Sequence, residues 1–144
     1  MVIRVPAELV SDDPVNPTRG DLNFVAISDN GEAAVFYSQK RGGTPYYDGY
    51  LRRYAGTAWQ DTVRVDSEDL GDVGAGSWDS CSKGPAGITM DDFGNIMAVW
   101  QQSDGLFTNI WSAKFDRTTS TWSAAKLEDT PWDAIQPVVA MNSS

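Results

Sequence analysis

Histidine is absent from all 144 residues, and cysteine occurs once, at Cys81. Without histidine there is no Ser-His-Asp or Cys-His catalytic set and no imidazole-ligated metal. A single cysteine excludes an intrachain disulfide and leaves the compartment open. No cationic residue stands nearer to Cys81 than Lys83, so the thiol reads as free and without a special role. Basic residues are also scarce, with 11 Lys and Arg against 20 Asp and Glu and a formal net charge of −9. That balance speaks against nucleic acid, whose binders concentrate Lys and Arg. It speaks equally against anionic membrane surfaces. No apolar run approaches the roughly 18 residues that a membrane helix needs. The opening MVIRVPAELV lacks the apolar core of a signal peptide. No segment carries a convincing helical period. The nearest, residues 66–73, is interrupted by Gly71, which weakens a helix interior.

What remains is a chain with 41% hydrophobic and 22% charged residues, a composition that folds. Its length is that of one domain. The segment at residues 85–122, PAGITMDDFGNIMAVWQQSDGLFTNIWSAKFDRTTSTW, reads as three strands joined by two turns, and residues 22–59 repeat it. Gly31 precedes Gly94, and Trp59 precedes Trp122, by the same 63 residues. Asn-Gly at 30–31 is a strong hairpin signal, because both residues accept positive φ. The turn at 91–94 reads as one residue longer than that at 29–31. Matching the A-V-F and A-V-W triplets pairs Val35 with Val99 and Phe36 with Trp100. Further along, Tyr50 matches Trp111 and Tyr54 matches Phe115. A fourth strand follows each repeated tryptophan.

The expected organisation is one all-β domain. Residues 8–13 are a trailing fourth strand, 22–66 and 85–128 are two four-stranded units, and 137–141 open a third. A single four-stranded sheet cannot bury both faces alone. Units of about 45 to 60 residues that stack radially make the blades of a β-propeller. A β-sandwich is the alternative. A closed ring takes about four to eight blades, so this chain is expected to assemble as a homo-oligomer through its end blades or to be part of a longer protein. The end faces, rich in Trp, Tyr and Val, favour association.

The pattern P-x-x-x-x-M-D-x-x-G-N-x-x-A-V-W, then N-I-x-x-x-x-F-D and T-W, resembles a Trp-rich β-propeller repeat of bacterial proteins. The broader group includes the sialidase-type (BNR-like) propellers. The resemblance spans about residues 22–141. It implies a propeller fold and an extracellular or periplasmic setting. The sialidase Asp-box, S-x-D-x-G-x-x-W, is met at neither turn, which makes a sialidase-like glycoside hydrolase the second reading.

Trp78-Asp79 and Trp132-Asp133 stand at equivalent places, just before Pro85 and Pro137. In the propeller reading these loops share a rim with the loops between second and third strands. Those loops carry Lys40, Arg41, Tyr46 and Tyr47 in one unit and Asp104, Phe107 and Asn109 in the other. Aromatic faces beside carboxylates and amides suit a glycan, with the ring stacking on the sugar. A protein ligand suits the same rim. The alternative is that each Trp is a wedge between blades and each Asp caps a turn. Trp59 and Trp122 read as packing residues, and Phe36, Trp100 and Trp111 as core. Glycoside hydrolysis needs a carboxylate pair, and no spacing among Asp48, Glu68, Asp79, Asp104 and Asp133 marks one. Arg52 and Arg53 point to opposite faces of one strand, which argues against an arginine cluster for an anionic sugar. The chain is therefore expected not to be an enzyme. Asp66, Glu68, Asp69 and Asp72 form an acidic stretch that reads as a solubilising loop. Alternatively, they offer oxygens to calcium.

Overall fold

Two turns of identical hydrogen bonding start the two halves of the chain. Ser28 N–H donates to Glu32 C=O at 3.0 Å, and Asp91 N–H donates to Asn95 C=O at 3.1 Å. Gly31 and Gly94 close these turns at φ +83°, a conformation that side chains with a Cβ resist. The computed structural model describes residues 23–40, 46–66, 71, 73 and 86–142. The expected trailing strand at 8–13 lies outside the described residues.

Each turn joins the first two strands of a four-stranded antiparallel sheet. The first sheet holds β1 (Asn23–Ile27), β2 (Ala33–Lys40), β3 (Tyr47–Tyr54) and β4 (Val63–Arg64), in that spatial order. The second holds β5 (Ala86–Met90), β6 (Ile96–Ser103), β7 (Thr108–Asp116) and β8 (Thr121–Lys126), again in sequence order. There is no helix among the described residues. The chain is all-β, as its alternating pattern requires. The fourth strand of the first sheet is shorter than the expected 59–66. Beyond Val63–Arg64 it keeps an isolated bridge between Tyr54 and Trp59, with Gln60 N–H donating to Arg53 C=O at 2.8 Å and Val65 N–H to Gly49 C=O at 2.9 Å.

The two sheets pack face to face, with the first strands β1 and β5 in contact and β5 also against β2. Period-2 geometry puts Phe36 and Leu51, which are cross-strand partners, on the inward face of the first sheet. Ala98, Ala113, Trp100 and Trp111 face them from the second sheet. The Phe36 and Trp100 rings lie 5.6 Å apart across this joint. Val65 and Val73 complete the core, with Phe24, Val63, Ala86, Ile88 and Trp122 at its margin.

The structure corrects two sequence matches. The first turns are of equal length, so the constant offset of 63 runs into β2 and β6. Tyr37, not Phe36, is thus the counterpart of Trp100. Phe36 and Trp100 are opposing faces of one joint, not equivalent positions. A shift of one residue in a strand exchanges the faces, and the A-V-F/A-V-W match made that shift. The ring pairs agree with the corrected register. Tyr37 stacks on Tyr50 where Trp100 pairs with Trp111, and Tyr54 meets Trp59 where Phe115 meets Trp122.

Beyond the second sheet, residues 137–142 form no ladder. Val139 is seated on Gly87, where an added Cβ would lie 3.1 Å from Val139 Cγ1. Residues 137–141, expected to open a third unit, lie against β5 through Val139 and form no strand.

Candidate functional site

The rim at one end of the sheets is assembled from four stretches. Val73 N–H donates to Tyr47 C=O at 2.9 Å, and Val73 bridges to Gln102. Val73 therefore lies at the β2–β3 and β6–β7 ends. On the second sheet, Asp133 Oδ1 accepts from Thr108 N–H at 2.7 Å, and Ala134 N–H donates to Thr108 C=O at 2.7 Å. Gln136 N–H reaches Gln101 Oε1 at 3.3 Å. These bonds fasten residues 133–136 along the start of β7 and the end of β6.

Asp104 closes the β6–β7 turn. Its Oδ1 accepts from the N–H groups of Leu106 and Phe107, and its Oδ2 from the Asn109 amide at 2.8 Å. The Phe107 N–H first, then the Leu106 N–H and the Asn109 amide, hold the Asp104 carboxyl well below the usual carboxylate range. Lys126 Nζ lies 3.5 Å from Asp104 and 2.9 Å from Asp129. The Asp129 contact is the main reason its ammonium is held above the ordinary value. Glu128 bonds the Thr130 hydroxyl at 2.7 Å, which with the Thr130 N–H pulls its carboxyl down. Lys126, Leu127, Glu128 and Asp129 line an open depression of about 480 Å³.

Trp132 stands beside this network and is 74% exposed. Asp133 is fixed by Thr108, Phe107 is half-buried in its turn, and Tyr46 is exposed on the β2–β3 side. The structure therefore brings Asp104, Phe107 and Asp133 onto the β6–β7 end with Trp132 beside Asp133. Trp78 and Asp79 lie outside the described residues.

Of the acidic stretch, only Asp66 is described, while Glu68, Asp69 and Asp72 lie outside the described residues. Asp66 is buried. Its Oδ1 accepts from Gly49 N–H at 2.9 Å, and its Oδ2 lies 3.0 Å from Arg64 Nη2. Arg64 Nε also lies 3.3 Å from buried Asp48. The Asp66 oxygens thus tie β3 to β4 and face a guanidinium. No group of three or more His, Cys, Asp or Glu residues placed to hold a metal occurs among the described residues.

Arg52 and Arg53 separate onto opposite faces as their adjacency dictates. Arg52 Nε donates to Gln60 C=O at 2.9 Å. Arg53 turns into the joint between the sheets, where its Nη2 reaches both Glu32 oxygens at 2.9 Å. The Arg53 guanidinium lies 5.0 Å from the Phe115 ring centre, within cation–π range.

Sequence reasoning missed Lys126 and Arg64. Lys126 reaches Asp104 only because β8 pairs with β7 in a register that sets Lys126 opposite Trp111. Arg64 reaches Asp48 only across the β3–β4 ladder. Neither proximity has a signal in linear spacing. No protein-family model matches the chain, and no curated protein or solved structure matches it either.

Proposed function

We propose that the chain is a non-catalytic, propeller-type binding module that holds a carbohydrate on the loop rim, with Trp132 as the stacking platform. The observation that carries this reading is an indole left 74% in solvent on a backbone clamped by the 2.7 Å Asp133–Thr108 and Ala134–Thr108 bonds. An aromatic ring carried next to a held backbone loses less freedom when a sugar stacks on it than one on a free loop. Asp104, Lys126, Glu128 and Asp129 supply polar groups for hydroxyls nearby. A propeller-type stack is supported over a sandwich by the way the faces repeat. The second sheet presents its Trp100–Trp111 face to the first, while the first turns the equivalent Tyr37–Tyr50 face outward. The outward face of the first sheet carries Val25, Ile27 and the stacked Tyr37–Tyr50 pair beside Arg52 and Arg64, an apolar patch of the kind a further stacked blade would cover.

The same geometry favours binding over sialidase-like hydrolysis. A glycosidase acid needs a raised pKa, and Asp104 and Glu128 are both held low. Arg53, one of the arginines that could meet an anionic sugar, is committed to Glu32 inside the joint.

Replacing Trp132 by Ala tests the reading. Exposed positions usually change stability by no more than about 0.5 kcal/mol, so folding should be retained. Affinity for neutral oligosaccharides, measured by calorimetry against a defined panel, should fall at least about tenfold, the equivalent of about 1.4 kcal/mol. A wild-type chain that binds none of the panel removes the carbohydrate. A variant that unfolds makes Trp132 a packing residue.

A second reading, assembly into a homo-oligomer, is favoured by one observation. Val25 and Ile27 are 63% and 70% exposed on the outward face of β1. Their counterparts Ile88 and Met90 are packed in the joint. Light scattering on a sizing column should give a discrete oligomer for the chain and a monomer for Ile27→Glu. A wild-type monomer at all concentrations counts against assembly.

A further inference from the structure

Asn30 is the one asparagine of the chain that is followed by glycine. It stands exposed in the β1–β2 turn, with Gly31 at φ +83°. A glycine nitrogen, with no Cβ beside it, is the least hindered backbone nucleophile that a preceding carboxamide can meet. Asn95 and Asn109 are each followed by isoleucine, whose branched side chain crowds the amide. The counterpart of Asn30 at the 63-residue offset is Phe93, so the turn of the second sheet carries no such group.

The Asn30 carboxamide is engaged at both ends. Its Oδ1 accepts from Glu32 N–H at 3.0 Å and from the Ser28 hydroxyl. Both donors draw electrons from Cγ and are placed to stabilise an oxyanion formed there. Its Nδ2 donates across the joint to Asp92 C=O at 3.1 Å, in the turn of the second sheet. Gly31 N–H is meanwhile held on Ser28 C=O at 3.1 Å. The carbonyl is thus activated while the closed turn occupies the attacking nitrogen.

We propose that Asn30 is a site of spontaneous hydrolytic modification, held back by the closed turn, and that its product unfastens the two turns. When the turn opens, the Gly31 nitrogen gives its proton to hydroxide and bonds to Asn30 Cγ. The Cγ–Nδ2 bond breaks, and the departing nitrogen takes a proton from water and leaves as ammonia. Water then opens the cyclic imide at either carbonyl, giving aspartate or isoaspartate. The sum consumes water and releases ammonia, and nothing is oxidised or reduced. Aspartate has no N–H to offer Asp92 C=O. Its carboxylate meets that carbonyl and adds charge to a turn that already holds Asp29 and Glu32. Isoaspartate also lengthens the main chain by a methylene, which displaces Glu32 from Gly94 and Arg53, its partners in the joint. These turns lie at the opposite end of the strands from the loop rim, so the inference is independent of the carbohydrate reading.

The test ages the whole chain in mildly alkaline buffer, native and in urea, and locates the change from amide to acid by peptide mass mapping. Asn30 should convert first among the asparagines, to a mixture of aspartate and isoaspartate. Conversion should be at least about tenfold slower in the native chain than in urea, because the closed turn must open first. Gly31→Ala, compared in urea so that folding plays no part, should slow conversion at least about tenfold by crowding the nitrogen. Asn30→Asp should unfold at a lower urea concentration than wild type. An Asn30 that stays intact in urea overturns the site, and so does equal conversion in the Gly31→Ala variant. Equal rates in the native and unfolded chain overturn the protection by the turn. An unchanged urea midpoint for Asn30→Asp overturns the unfastening.

Discussion

Trp100→Ala should cost the domain about 3–5 kcal/mol, the range for emptying a large aromatic site in a core. Trp100 is fully buried, lies across the joint from Phe36 and is the cross-strand partner of Trp111. Its Nε1 donates to Gln102 Oε1 at 3.1 Å. The Gln102 amide in turn donates to Gly71 C=O at 3.1 Å, so losing the indole also removes one buried hydrogen bond from this chain, at about 1 kcal/mol. A domain of this size has about 5–15 kcal/mol in all, so the variant should approach the threshold of folding. Urea unfolding of wild type and of the milder Trp100→Phe gives the comparison. Because the ring sits at the joint, far-UV and fluorescence signals should move to lower urea together. A loss under about 1 kcal/mol would mean that the two sheets do not depend on this contact.

Arg53→Met should be nearly as damaging for an electrostatic reason. Glu32 and Arg53 side chains are only 11% and 10% exposed, and Arg53 Nη2 lies 2.9 Å from both carboxylate oxygens. Removing one partner of a buried pair leaves an uncompensated charge, at about 3–5 kcal/mol. Arg117 Nε, 3.6 Å from Glu32 on a half-exposed side chain, will relieve part of this. The expected loss is therefore at the low end of the range. Glu32 also packs against Gly94 of the opposite turn, so the stranded carboxylate cannot rotate freely to water. The double variant Glu32→Leu/Arg53→Met should be more stable than Arg53→Met alone, since a buried pair replaced by apolar groups is often close to neutral. A double-mutant cycle in urea measures this. Losses that simply add would mean that the two groups do not interact.

Much of the architecture was legible in the linear chain. The alternation of LNFVAIS and EAAVFYSQ, the Asn-Gly turn and the 63-residue recurrence of Gly and Trp lead to eight strands in two like sheets. Adjacent Arg52 and Arg53 had to diverge, and they do. The ring ladder was harder. A triplet match of A-V-F to A-V-W outweighed the turn spacing and shifted β2 against β6 by one residue, which exchanged the inward and outward faces. Equal hydrogen bonding in the two turns resolves it.

The rim shows the same division. Trp132 and Asp133 could be singled out from their place before Pro137, because loop position and residue type are local properties. Whether Trp132 would be a wedge or an open platform depends on what lies over it, and its 74% exposure comes only from three dimensions. The clamp from Asp133 to Thr108 spans 25 residues, and the contact from Lys126 to Asp104 spans 22.

By itself, then, the chain determined the strand pattern, the turns and the repeat. Side-chain alternation and positive-φ glycine are constraints between near neighbours. Only the tertiary structure decided which apolar face is the joint and which stays open, that Arg53 closes on Glu32, and that Val139 is seated on Gly87. Those outcomes depend on register and on contact between sheets, where displacement by one residue reverses inside and outside.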